Sequence, residues 1–183
     1  MKKLPIVSTL LCLLATPAVA LAETTECRNT TFGPVRLDNI VVPDDATCTL
    51  NGTKAKGSIK VLTGATLHAN AVTVKGNIQG EGAAAVNVNP NSFVGGSVQI
   101  KQGNSATVDD VVIGGDLQFD ENTGSILASD NDIDGNLQAV KNTGGLVLVD
   151  NRIRENLQCK ENNPPPTGGN NTAGDKEDQC ELL

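Results

Sequence analysis

The stretch Asp130-Asn131-Asp132-Ile133-Asp134-Gly135 has the carboxylate spacing that opens an EF-hand calcium loop: alternate oxygen ligands ahead of a glycine turn. Such a loop needs a bidentate glutamate at its twelfth position, and the chain has Lys141 there. Without that ligand the motif reads as a polar corner. A looser arrangement uses the same stretch. Asp110, Asp130 and Asp150 recur at intervals of 20 residues. Stacked in successive turns of a solenoid, their carboxylates would lie about 4.8 Å apart and repel one another. Solvent at a turn that favours Asp would offset the repulsion, and so would a weakly bound calcium ion.

Other chemistry is sparse. His68 is the only histidine, and a hydrolytic triad would have to be built on it. The repeat described below puts it in one column with Thr49 and Thr107, which is an ordinary strand position. The chain has no Trp or Tyr, and its aromatics are Phe32, Phe93 and Phe119. Stacking platforms for sugars or bases are therefore missing. Lys2 and Lys3, an apolar stretch and Ala20-Leu21-Ala22 make residues 1–22 a secretory signal peptide, removed together with Cys12. Nothing after it is apolar for long enough to span a bilayer. Removing two lysines takes the formal charge from −7 to −9. So acidic a chain is not expected to bind nucleic acid. The expected location is secreted or periplasmic.

Four cysteines remain: Cys27, Cys48, Cys159 and Cys180. An even number in an exported chain favours disulfides over a zinc site, which would want CxxC pairs, and three connectivities are possible. The first two cysteines lie near the start of the repeats and the last two near their end. Local pairing, Cys27 with Cys48 and Cys159 with Cys180, would fasten a cap over each end of a monomer.

These residues are carried by an internal repeat. The phrases DNIVV at 38, GSIKV at 57, GNIQG at 76, GSVQI at 96, GDLQF at 115, GNLQA at 135 and ENLQC at 155 follow at steps of 19, 19, 20, 19, 20 and 20 residues. Two residues into each phrase stands an aliphatic residue, Ile40 through Leu157, and two further on a second inward column runs from Val42 to Cys159. Between them Gln79, Gln99, Gln118, Gln138 and Gln158 alternate outward, as strand periodicity requires. Two more apolar columns complete each unit, Leu67, Ala106, Ile126, Leu146 and Ala55, Val74, Val94, Ile113, Ile133, Ile153. NTG at 122–124 and 142–144 and DN at 130–131 and 150–151 mark the turns. Three short strands and three corners make one triangular coil. A unit this short must share its core with its neighbours. Leucine-rich repeats would show a helical segment, and a β-sandwich would not hold one residue type in a column. The expected fold is all-β: a single-domain parallel β-helix of about seven coils with 19–20 residues each, spanning 38–159, with an N-terminal cap at 23–37 and a Pro/Gly/Asn-rich cap or tail at 160–183.

The units KGSIKVLTGATLHANAVTVKGNIQ at 56–79 resemble the bactofilin type of polymer-forming β-helix. The GNLQ phrase with CKENNPPPTGGNNTAGDKEDQC at 159–180 is similar to a group of secreted bacterial repeat proteins. The resemblance covers 38–180 and implies a β-helix; the bactofilin type would imply polymerisation, which an export signal and cysteines depart from, and the second resemblance implies no known activity. Sugar-cleaving β-helices place carboxylates and basic residues in a groove walled by long loops, and these units have no long insertions. The functional expectation is an exported, non-enzymatic structural or surface-interaction protein without a cofactor. The alternative is a polysaccharide-binding or polysaccharide-active one. The Gln column could face a glycan or another cell-surface component, although such ladders also bond to themselves.

Overall fold

The seven phrases fold as neighbouring strands of one sheet, in the register of their alignment. Ile40 lies beside Ile59, and the column continues through Ile78, Val98, Leu117, Leu137 and Leu157. All seven are buried, whereas the glutamines between the two inward columns are half-exposed. The computed structural model describes residues 22–183, so the leader lies outside the described residues apart from Ala22.

Every regular element among the described residues is a β-strand, and the strands form three parallel sheets of nine, eight and seven strands. The chain visits the sheets in rotation, giving a single-domain β-solenoid of about eight turns. One turn is Ile78–Glu81 in the first sheet, Ala85–Val88 in the second and Ser92–Val94 in the third. Each sheet buries one face on a shared core. The second sheet contributes Cys48, Leu67, Val86, Ala106, Ile126 and Leu146, and the third the column from Ala55 to Ile153. Each fully buried aliphatic side chain stabilises the stack by roughly 1.5–3 kcal/mol, and since no coil is buried alone the contribution exists only in the stack.

Stacking extends beyond the phrases at both ends. Thr24–Glu26, Thr30–Phe32 and Arg36–Leu37 form a further turn, one in each sheet. This turn carries Thr25 where its neighbour has Ile40, which is why it escapes an alignment on aliphatic residues. Cys27 is joined to Cys48 with an S–S distance of 1.99 Å and a Cα–Cα distance of 5.5 Å. At the other end Thr167–Gly169 and Asp175–Asp178 add to the second and first sheets. Lys176 and Asp178 lie over Leu157 and Cys159, so the core columns end in polar residues, as a terminal repeat requires. Cys159 is bonded to Cys180, with Cα atoms 5.2 Å apart. Each bridge closes a loop across a sequence separation of 21 residues, worth roughly 3 kcal/mol in the chain-entropy account.

The inward and outward assignments differ enough to measure. Leu137→Asp buries a carboxylate with no partner and should cost on the order of 4 kcal/mol, while Gln138→Asp, on the outer face, should cost about 1 kcal/mol. Urea unfolding of the two variants checks this, and equal losses would contradict the register.

Candidate functional site

Each letter of the Gly-Asn-Leu-Gln phrase has its own work. The opening glycines stack directly: the Gly76 N–H donates to Gly57 O at 3.0 Å, and Gly96, Gly115 and Gly135 repeat the bond coil by coil. A Cβ on Gly135 would meet the Gly115 carbonyl carbon and oxygen at 2.9 Å, so only glycine turns this corner without displacing its neighbour. The second position braces the same corner. Asn39 Oδ1, Ser58 Oγ, Asn77 Oδ1, Ser97 Oγ, Asp116 Oδ1 and Asn136 Oδ1 each accept a backbone N–H from the next coil, at 2.8–3.1 Å. The third position is core.

The fourth position builds the Gln ladder. Gln79 Nε2 donates to Gln99 Oε1 at 3.2 Å, Gln99 to Gln118 at 3.0 Å and Gln118 to Gln138 at 3.1 Å. Among the described residues the bonded run ends at Gln138, and Gln158, next in the column, donates instead from Nε2 to Glu177 Oε2 of the terminal coil at 2.9 Å. Beside the ladder Glu81, Lys101 and Asp120 alternate in sign across successive coils. A shallow depression of about 340 Å³ lies over Gln79 and Gln99, walled by Lys60, Leu62, Glu81 and Lys101.

Asp110, Asp130 and Asp150 are brought together as one exposed column, at φ of 49°, 54° and 56°. The same column contains Gly52, Ala71, Asn91 and Asn170, all in the left-handed region. Asn and Asp tolerate this conformation better than other residues with side chains, so backbone geometry accounts for the recurring aspartates. Among the described residues no group of three or more His, Cys, Asp or Glu side chains converges as a metal cage would.

The residue after each left-handed corner is where sequence reasoning missed most. The DN and NTG signals marked turns without saying which way their asparagines face, and Asn131, Asn151, Asn122 and Asn142 are each only 1 % exposed. Asn142 Nδ2 donates to Phe119 O and Asn162 Oδ1, while Asn142 Oδ1 accepts from the N–H and Nδ2 of Asn122. Asn131, Asn151 and Asn171 repeat this pattern along a second corner. Gln179 ends the first ladder by accepting from Asn162, and the Leu183 carbonyl ends the second by accepting from Asn171. The signal was an Asn recurring at the repeat period; its inward direction was not visible without the corner. Within the EF-hand-like stretch Asn131 and Ile133 are consequently buried, so the stretch does not present its oxygens to one point.

His68 stands on the outer face of the second sheet between Thr49 and Asn87, with Nδ1 3.3 Å from Asn87 Nδ2. Arg154 pairs with Asp134 at 2.8 Å, and Arg152 pairs with Asp132. Glu121 accepts from Gln102 Nε2 at 2.9 Å. Compared with family models, curated proteins and solved structures, the chain matches none.

The two kinds of ladder should differ in cost. Asn142→Ala leaves the buried N–H and Nδ2 of Asn122 without their acceptor and takes the side-chain donor from the Phe119 carbonyl, and should destabilise by roughly 3 kcal/mol or more, whereas Gln118→Ala, where water can replace the lost bonds, should cost about 1 kcal/mol. Chemical denaturation of both variants measures the difference.

Proposed function

We propose that this chain is an exported, non-catalytic β-solenoid, a monomeric rod with a structural or surface-interaction role. The observation that carries the reading is the coil-to-coil bonding of the recurring polar side chains, Gln79 to Gln138 and Asn122 to Asn162. The repeated motif is accounted for by the stack itself, without a substrate. The two disulfides are compatible with an oxidising, extracellular environment. Together with the polar terminal coil they oppose the end-to-end growth that the bactofilin resemblance would imply.

A second reading, polysaccharide binding or cleavage, is favoured by the Gln face and its depression beside Lys60 and Lys101. A glycan array combined with a reducing-sugar assay separates the two. The expected result is no release of reducing ends; turnover would overturn the non-catalytic reading, and filaments seen by sedimentation of the oxidised protein would overturn the monomer.

The Asp110, Asp130 and Asp150 column is proposed as a weak calcium contact, because a cation binding only the folded rod stabilises it by mass action. Calcium should then raise the melting temperature above that in sodium at matched ionic strength, and Asp130→Asn should abolish the difference while keeping the corner conformation. Equal melting temperatures in the two salts would leave the column as a charged corner only.

A further inference from the structure

The outer face of the third sheet gathers a charge that the overall composition hides. Arg36 lies beside Lys54, Lys54 beside Thr73, Thr73 beside Phe93, and Phe93 beside Val112. One step along each strand pair, Lys56 and Lys75 follow on the same side, and Arg36, Lys54, Lys56 and Lys75 together line a depression of about 230 Å³ with Ala55 and Thr73. All four cations are exposed. In the sequence they are scattered from 36 to 75 within an acidic chain; the coil period brings them onto one side. Lys56 Nζ donates to Asp38 Oδ1 at 2.8 Å, which holds the Asp38 carboxyl below its usual range. Among the described residues Arg36, Lys54 and Lys75 form no ion pair.

Beside this basic end the face turns apolar. Phe93 is 44 % and Val112 47 % exposed, and the neighbouring positions along the strands are Gly95 and Gly114, which leave the two side chains uncrowded. Further on, Asp132 and Asp134 are paired with Arg152 and Arg154. The strip is thus positive, then apolar, then neutralised, and its strands are only two or three residues wide.

We infer that this strip binds a linear anionic polysaccharide lying along the solenoid axis, with its acidic groups on Arg36, Lys54 and Lys75 and a sugar ring over Phe93 and Val112. The inference rests on the surface-interaction reading and names its ligand class. Arg36 offers a planar fork to a carboxylate or sulfate, and the lysines act as point charges. The apolar C–H face of a pyranose ring suits an exposed aromatic side chain, whose flat surface is not matched by a chain of charges alone. Successive coils repeat at about 4.8 Å, so the cations form a row that a polymer with regularly spaced charges can follow. A bilayer would need a broader amphipathic surface than this strip, and single-stranded nucleic acid would need several stacking aromatics where the strip has one.

The test uses the mature, disulfide-bonded protein, with retention measured on immobilised polygalacturonate and dextran sulfate, neutral dextran as control, at low and high salt. Retention on at least one anionic polymer that weakens with salt is expected, and none on neutral dextran. Which polymer holds better distinguishes carboxylate from sulfate. Lys54→Glu combined with Lys75→Glu should weaken binding about tenfold or more at an unchanged melting temperature. Phe93→Ala should weaken it several-fold with little change in salt dependence. Absence of binding to both anionic polymers at low salt overturns the inference, as does wild-type affinity in the charge-reversed variant. So does tighter binding to phosphatidylglycerol vesicles or duplex DNA than to the polymers. Binding of a neutral glycan by both proteins without polyanion binding overturns this inference and leaves the surface-interaction reading standing.

Discussion

A coil of about twenty residues has to turn three times and return one strand spacing further along, and every turn carries backbone amides and carbonyls to the edge of an apolar interior. Left unpaired there, each would cost as much as a lost hydrogen bond or more. The repeat meets this constraint with side chains that imitate backbone. Asn142 donates to the Phe119 carbonyl and receives the Asn122 N–H, so one side-chain amide closes the corner of three coils at once. The aliphatic columns supply most of the driving force, but they do not tell the chain where to bend. The amide ladders and the Gly-Asn corner do, and the core fills the triangle they define.

Much of this was legible because the period of the repeat and the period of the strand coincide in one alignment. Residues such as Ile133 and Leu137 read as inward from alternation alone, and the sheet registers agree. In the same alignment Asp132 stands beside Arg152, and Asp132 with Arg152 and Asp134 with Arg154 form ion pairs across neighbouring coils. The direction of Asn122 and Asn131 was not legible, because asparagine is equally at home exposed in a turn and buried in a ladder, and only the left-handed residue before it, Glu121 or Asp130, decides which way it faces. The first turn was also hidden, since a terminal coil is half solvated and can carry Thr25 where an interior one needs isoleucine. Positions from different coils, such as Arg36 and Lys75, meet on one depression through the fold and not through any motif.

The division of labour among the three outer faces follows from the same geometry. The first sheet spends its outer glutamines on one another, and the corners spend their asparagines on the backbone. The third sheet is the narrowest, and its outer residues are not held in a ladder: lysines, Phe93 and Val112 face solvent there. Coil-to-coil side-chain bonding and solvent-facing cationic and apolar side chains thus occupy different columns, so substitutions in one need not disturb the other.

The ladders also have a sense of direction. In both corner ladders each side-chain amide donates to the carbonyl oxygen of the asparagine one coil nearer the C-terminal end, so the fittings differ: Gly103 and Val111 offer N–H groups at one end, and Gln179 and the Leu183 carbonyl accept at the other. Any whole coil inserted between Asn122 and Asn162 would find the same donor above it and the same acceptor below. The rod's length is therefore a quantised variable, adjustable in steps of about 4.8 Å without redesigning either end, and such a molecule can serve as a ruler whose gradations are the coils themselves.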